Sequence, residues 1–177
     1  MLDAMLDYPA ASALGAIGLV CGVLWPVFRS RSRMLWLHVA GAVCWTLHYA
    51  FMGAMSGAAS NAVMLLQAAA AIPLGLHPRF RLVYLASLPI LVAVVAWTWA
   101  GWPSAFAAIG AGLVSLGRYQ LDVLRFRAAI LAALPFWFGH NLLVMSVPAM
   151  AADVVCAATS GWMLWRTWRE GRAPARA

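Results

Sequence analysis

Seven long stretches without a charged residue constrain the fold of this chain more than any other feature. They cover residues 9–28, 34–52, 58–76, 82–100, 103–117, 128–147 and 149–165. About 20 apolar residues in a helix, at 1.5 Å per residue, cross the roughly 30 Å of hydrocarbon in a bilayer. The fifth stretch is short, and we expect it to extend towards Leu121 with Arg118 snorkelling to the headgroups. We therefore predict an all-α integral membrane protein with seven transmembrane helices, forming a single membrane domain over residues 1–177.

Composition and motifs exclude several classes of protein. Hydrophobic residues make up 65 % of the chain and charged residues 10 %, which excludes a soluble domain and a disordered chain. Three cysteines, Cys21, Cys44 and Cys156, have neither CxxC nor zinc-ligand spacing, so no metal site is expected. GxSxG, HExxH and phosphate-binding loops are missing from the sequence, so we predict no catalytic residue, no cofactor and no enzyme activity.

The arginines indicate the orientation of the helices. All twelve basic residues are arginines, and they lie in the connections after the first, third, fifth and seventh stretches. Because positive residues mark cytoplasmic loops, the N-terminus is predicted outside, and the C-terminus, with a tail at 169–177, in the cytoplasm. The net charge of +7 then indicates a lipid bilayer as partner and not a nucleic acid. Substrate steering or binding of anionic lipids is the alternative role for these arginines.

Seven tryptophans lie near the ends of the stretches, where aromatic residues anchor helices at the membrane interface. We expect an inner and an outer belt, formed respectively by Trp25, Trp36, Trp165 and Trp168 and by Trp97, Trp99 and Trp102. Trp45 and Trp137 lie inside stretches and do not belong to these belts.

An internal repeat appears when the chain is shifted by 92 residues. The shift places Trp45 on Trp137 and His48 on His140, and it places Asn61 on Asp153, without a gap. The repeat units are 9–76 and 103–168, joined by a linker helix at 82–100. Because one helix separates the units, both have the same orientation in the membrane. We predict two parallel three-helix repeats related by a pseudo-two-fold axis along the membrane normal.

Polar residues inside the predicted helices mark a candidate site near the outer face. His48 and Asn61 flank a short turn and lie at similar depth, and His140 and Asp153 repeat this arrangement. Asp153 is the sole carboxylate inside a stretch, and such a residue normally has a partner. His140 is the partner that we expect.

The same residues admit three interpretations. They could bind a polar molecule on the axis, bond helices together, or ligate a haem through His48 and His140. Asn141 could line the same cavity or bond to a neighbouring helix. Gln67, in the middle of the third stretch, is expected to bond to a neighbouring helix or to a substrate.

Three features of the second half are informative together: the segment 137–141 (WFGHN), the acid at Asp153, and Arg118 followed seven residues later by Arg125. In these features it resembles the YgjV-like bacterial inner membrane proteins. In the first half, two arginines after the first stretch and a histidine near a glycine also resemble that family: Arg29, Arg33, His48 and Gly53. The resemblance implies a location in the bacterial inner membrane and a similar fold, without an assigned activity.

The sequence also departs from that family. It has Met64 and Gln67 where the family tends to carry Asn and Arg, and Asn61 is offset from the family's Asn. The plan of three helices, one linker and three helices is similar to the SWEET sugar transporters and the nicotinamide riboside transporters. Their Pro-Gln dipeptide is missing here, and likeness of fold does not establish function.

We predict a small-molecule membrane transporter or facilitator with a polar site between the repeats. A non-transporting inner-membrane scaffold or sensor is the alternative, and a bis-His haem protein is a third. A homo-oligomer is compatible with the sequence. The partner is an unknown small polar molecule, and its predicted ligands are His48, His140, Asp153, Trp45, Trp137, Asn61 and Asn141.

Overall fold

The computed structural model describes residues 8–28, 31–74, 81–120 and 122–172. Within these ranges the chain forms seven α-helices and no strand. The helices are α1 Pro9–Leu24, α2 Arg31–Phe51, α3 Met55–Leu74, α4 Leu82–Trp97, α5 Trp102–Tyr119, α6 Val123–Leu143 and α7 Val147–Arg172. The number of helices agrees with the sequence prediction. The predictions for the N-terminal tail, for Arg29 and Arg79, and for residues 173–177 lie outside the described residues.

In the part of the chain that the structure describes, two helices meet the length and composition expected of a membrane span, with the segments Met55–Ile72 in α3 and Val147–Arg169 in α7. The apolar helices α1 and α4 are shorter, with 16 residues each. At 1.5 Å per residue, each of these two is about 24 Å long.

Helix α6 begins earlier than the uncharged stretch predicts. The carboxylate of Asp122 accepts a hydrogen bond of 2.8 Å from the backbone N–H of Arg125 and so caps the helix. Arg125 and Arg127 therefore lie in the first turns of α6 and not in a loop before it. Arg127 is only 5 % exposed, which corrects the expectation that the arginines lie in the connections between helices.

The helices pack as two groups of three, with α4 beside them. In the first group α2 packs against α1 and α3, and in the second group α6 packs against α5 and α7. The groups meet through two helix pairs, α1 with α7 and α3 with α5. Helix α4 packs against α3 and α5. The core of the protein is therefore an interface between residues 9–74 and residues 102–172.

Glycines allow each of two tryptophans to approach a neighbouring helix closely. A Cβ at Gly18 on α1 would lie 2.7 Å from the indole of Trp45, and a Cβ at Gly110 on α5 would lie 2.9 Å from Trp137 Nε1. Both distances are below van der Waals contact. Each indole therefore packs directly on the backbone of the neighbouring helix, which is possible because glycine has no side chain.

We expect Gly110→Ala to lower the free energy of unfolding by about 1–3 kcal/mol, because the added methyl group forces Trp137 out of its position. The matched control is Gly112→Ala on the same helix. A Cβ at Gly112 meets nothing within 4 Å, so alanine there should be neutral or stabilise by up to about 1 kcal/mol. Denaturation of the two variants in detergent measures the difference, and equal effects would contradict the tight packing of Trp137.

Candidate functional site

A cavity of about 170 Å³ lies between the two groups of helices. Side chains from both groups line it, and five of the seven predicted ligands are among them: Trp45, Trp137, Asn61, Asn141 and Asp153. Tyr49, His38, Arg118 and Trp25 line the same cavity. The structure thus brings most of the predicted site together and adds residues that the prediction did not include.

A chain of hydrogen bonds crosses the cavity from one group to the other. The hydroxyl of Tyr49 donates to Asn141 Oδ1 at 2.6 Å, and Asn141 Nδ2 donates to Asp153 Oδ2 at 2.6 Å. Tyr49 is 3 % exposed and Asn141 is 1 % exposed. Because its amide oxygen accepts and its amide nitrogen donates, Asn141 is held in one orientation. It presents the Asp153 carboxylate in a fixed position on the cavity wall.

The predicted pairing of Asp153 with His140 is not present. The ring of His140 instead donates from Nδ1 to the carbonyl oxygen of Pro103 at 2.8 Å. Consecutive residues on a helix point about 100° apart, so Asn141 faces Asp153 while His140 faces α5. The depths of His140 and Asp153 along their helices predict the pair. The direction of the His140 side chain around its helix axis prevents it.

His48 bonds to both groups of helices. Its Nδ1 donates to the carbonyl oxygen of Ala11 at 2.7 Å, since a carbonyl can only accept. The hydroxyl of Ser146 lies 2.7 Å from Nε2 and donates to it in the neutral ring. Neither His48 nor His140 lines the cavity. The structure therefore places both predicted histidine ligands behind the cavity wall.

Three aromatic rings form a stack along the cavity. Tyr49 lies between the two indoles, with ring centroids 6.0 Å from Trp45 and 6.5 Å from Trp137, and with interplanar angles of 29° and 18°. The two tryptophans also contact the histidines edge-on, at 5.4 Å for His48 and 5.8 Å for His140. Each Trp therefore shares a helix face with its His. The rings give the wall of the cavity an aromatic surface beside the carboxylate of Asp153.

A second polar cluster joins three helices below the aromatic stack. Gln67 on α3 donates from Nε2 to Ser87 Oγ at 2.5 Å and to Ser115 Oγ at 2.7 Å. Its Oε1 accepts from Arg118 Nη1 at 2.8 Å. Gln67 therefore bonds to neighbouring helices, which was one of its two predicted roles.

Arg118 points into the protein and not towards headgroups, so its predicted snorkelling is wrong. Its Nη1 also donates to the Met64 carbonyl at 2.9 Å, and Nη2 lies 3.4 Å from His38 Nδ1. The predicted inner-belt residue Trp25 is likewise buried, at 6 % exposure, and packs edge-on against His38 at 4.7 Å. The carbonyl and amide acceptors of α3 explain the inward direction of Arg118, because they replace water around its charge.

The family model for Imp-YgjV, described as a bacterial inner membrane protein, matches residues 9–171. The chain belongs to this family. The match covers all seven helices and every residue that lines the cavity. No curated protein and no solved structure matches the Imp-YgjV chain.

The histidines of this Imp-YgjV protein do not fit a haem iron. Both ring nitrogens of His48 are engaged in hydrogen bonds. The Nε2 of His140 has no hydrogen-bond partner, but a Cβ at Gly57 would lie 2.5 Å from it, so α3 occupies the space in front of this nitrogen. Among the described residues, no group of three His, Cys, Asp or Glu side chains could hold a metal ion.

Sequence reasoning missed Tyr49 and the inward direction of Arg118. The 92-residue shift places Tyr49 on Asn141, but a search for identical residues does not register that pair. A search for any two polar residues at this separation would have found it. For Arg118, the polar neighbour Gln67 in the middle of α3 was the available signal.

We expect Tyr49→Phe to lower the free energy of unfolding by about 1–3 kcal/mol in this Imp-YgjV protein. The substitution keeps the ring stack and leaves Asn141 Oδ1 buried without its donor. Tyr8→Phe is the control, because Tyr8 is exposed and should change stability by less than about 0.5 kcal/mol. Equal unfolding midpoints for the two variants in detergent would contradict the bond across the cavity.

Proposed function

We propose that this Imp-YgjV protein is a transporter or facilitator of a small polar molecule in the bacterial inner membrane, with its site in the cavity between the helix groups. One observation carries the proposal. The cavity is lined by residue pairs that are 92 positions apart, Trp45 with Trp137, Tyr49 with Asn141 and Asn61 with Asp153. Sites between repeats are a common arrangement in transporters.

The same proposal includes two parallel repeats, 9–76 and 103–168, joined by the linker helix at 82–100. Equivalent hydrogen bonds support it. His48 bonds to the Ala11 carbonyl at 2.7 Å, and His140 bonds to the Pro103 carbonyl at 2.8 Å, and the partners are 37 positions apart in both cases. The helix contacts support it as well. The shift of 92 residues places α1 on α5 and α3 on α7, so the contact of α1 with α7 is equivalent to the contact of α5 with α3.

A pseudo-two-fold axis then passes near Tyr49 and Asn141. These residues occupy equivalent positions in the two repeats, and they bond directly to each other. A residue that contacts its equivalent in the other repeat must lie close to the axis that relates the two repeats. Rocking of one repeat against the other about this contact would open the cavity to the two sides of the membrane in turn.

The orientation in the membrane follows from the arginines, with the N-terminus outside and the C-terminal tail in the cytoplasm. Exposed tryptophans at the two ends of the helices are consistent with interfacial belts, at Trp36, Trp165 and Trp168 on one side and Trp97, Trp99 and Trp102 on the other. In this orientation Asp153 lies nearer the outer face and Arg118 nearer the cytoplasm.

The size of the cavity limits the solute. A cavity of about 150 Å³ in another protein holds one benzene molecule, so about 170 Å³ accommodates a solute of about six or seven non-hydrogen atoms. The solute that fits this conformation is therefore smaller than a sugar.

A scaffold or sensor without transport is the second candidate. The observation that favours it is the bonding of His48, which ties Ala11 of one group to Ser146 of the other. Such bonds stabilise helix packing by about 0.6 kcal/mol on average. In that case the cavity would bind no solute.

Thermal unfolding in detergent tests the proposal with a panel of amino acids, sugars, nucleosides and vitamins. A solute that binds the folded protein raises the unfolding midpoint, and the rise should disappear in Asp153→Asn. Asp122→Asn is the matched control, because it removes an exposed carboxylate and asparagine also caps helices well. A panel without any stabilising solute, together with a lower midpoint for Asp153→Asn, would favour the scaffold.

A further inference from the structure

Among the described residues that line the cavity, Arg118 carries a guanidinium whose Nε edge is incompletely hydrogen-bonded. The guanidinium of Arg118 uses Nη1 for the Met64 carbonyl and the Gln67 amide oxygen. Its Nε has no hydrogen-bond partner, and Nη2 has a single long contact of 3.4 Å with His38. None of its partners among the described residues is a carboxylate. The edge formed by Nε and Nη2 is the fork that binds a carboxylate through two parallel hydrogen bonds.

Asp153 is the carboxylate among the described residues that line the cavity, and it lies beside aromatic faces. Asp153 accepts from Asn141 through Oδ2, and no cationic side chain bonds to it among the described residues. The stacked rings of Trp45, Tyr49 and Trp137 line the same space. A carboxylate together with aromatic faces is the combination that attracts an ammonium group.

Both charged side chains are held in place by neutral groups. Asn141 and Tyr49 hold Asp153, and Gln67 and the Met64 carbonyl hold Arg118. Burial of an unpaired charge is costly, and the cost is lowered when a ligand supplies the opposite charge. One ligand with a carboxylate and an ammonium group would supply an opposite charge to each of these side chains.

We propose that the ligand is a small amino-acid-like zwitterion, with its carboxylate on the Nε and Nη2 edge of Arg118 and its ammonium group between Asp153 and the stacked rings. This inference rests on the proposed function and names the class of solute. The cavity of about 170 Å³ fits a solute about the size of benzene, which corresponds to an amino acid of two to four carbons.

Matched ligands test the proposal on the full chain in detergent. Glycine, alanine and the four-carbon ω-amino acid are compared with butyrate, butylamine and glycerol. We expect at least one zwitterion to raise the unfolding midpoint by about 5 °C at a hundredfold excess over its Kd. Butyrate and butylamine should bind at least about tenfold more weakly. Preference for a neutral or singly charged solute would overturn the zwitterion and leave the proposed function intact, whereas no stabilisation by any solute would overturn both.

Variants assign the two ends of the ligand. In Arg118→Gln the ligand carboxylate loses its partner, so the zwitterion should bind no better than butylamine. In Asp153→Asn the ammonium group loses its partner, so the zwitterion should bind no better than butyrate. Arg118→Lys keeps the positive charge but lacks the two parallel donors of the guanidinium, so it should lose most of the preference for a ligand with a carboxylate. This variant also tests the assignment if Arg118→Gln does not fold. Arg125→Gln, at an exposed position of α6, is the control and should bind like the wild type. Equal loss of binding in Arg125→Gln and Arg118→Gln would overturn the assignment.

Discussion

His48→Ala should lower the free energy of unfolding by about 3–4 kcal/mol. The ring is buried, and it bonds to the Ala11 carbonyl in one helix group and to the Ser146 hydroxyl in the other. Its removal leaves the Ser146 hydroxyl without a partner, takes away a second hydrogen bond from the helical Ala11 carbonyl, and creates a cavity. Loss of a buried hydrogen bond and creation of a cavity each cost about 1–3 kcal/mol. Chemical denaturation in detergent measures the effect.

Two further variants calibrate that result. Ser146→Ala removes one of the two bonds and should cost about 1–2 kcal/mol. Thr46→Ala, two residues from His48 on α2, removes a hydroxyl that bonds to its own helix at Ala42 and should cost less than about 0.5 kcal/mol. An effect of His48→Ala no larger than that of Thr46→Ala would contradict the role of His48 in joining the two groups.

Gln67→Leu should lower the free energy of unfolding by about 3 kcal/mol. The substitution preserves volume but removes the acceptor of Arg118 and the donor to Ser87 and Ser115. Loss of a hydrogen bond to a buried charge costs about 1.5–3 kcal/mol, and the arginine then keeps only the Met64 carbonyl as a close partner.

The control for Gln67→Leu is Gln120→Leu. Gln120, at the end of α5, has one long exposed contact of 3.4 Å with the Leu116 carbonyl. Its substitution should change stability by less than about 0.5 kcal/mol. If Gln67→Leu unfolds at the same denaturant concentration as Gln120→Leu, then Arg118 does not depend on Gln67 and the second polar cluster has no structural role.

The sequence predicts the seven helices of the described residues because each of them overlaps with an uncharged apolar stretch. It also finds five of the residues that line the cavity, since polar side chains in apolar helices are rare. Asn141 and Asp153 were identified in this way. The position of α6 was less predictable, because a capping aspartate at Asp122 can start a helix before an apolar stretch begins.

Direction around a helix accounts for what the sequence did not predict. His140 and Asn141 lie at the same depth, but 100° of rotation separates them, and Asn141 is the one that reaches Asp153. Arg118 at the end of α5 can extend either towards headgroups or towards α3. The direction of the Arg118 side chain depends on the acceptor oxygens of Met64 and Gln67, which approach its guanidinium only when the helix groups pack together.

The proposed alternating access requires the cavity between the helix groups to open to both sides of the membrane. Cys156 lines the cavity, is buried, and bonds through Sγ to the Gly22 carbonyl at 3.1 Å. A membrane-impermeant thiol reagent can therefore reach it only when the cavity opens. The test uses Cys21→Ala/Cys44→Ala, in right-side-out and in inverted vesicles.

We predict that Cys156 is labelled from both sides. A chain that retains only Cys44, which does not line the cavity, should remain unlabelled from either side. Labelling of Cys156 from neither side, or from the same single side under every condition, would contradict alternating access and leave the protein as a scaffold.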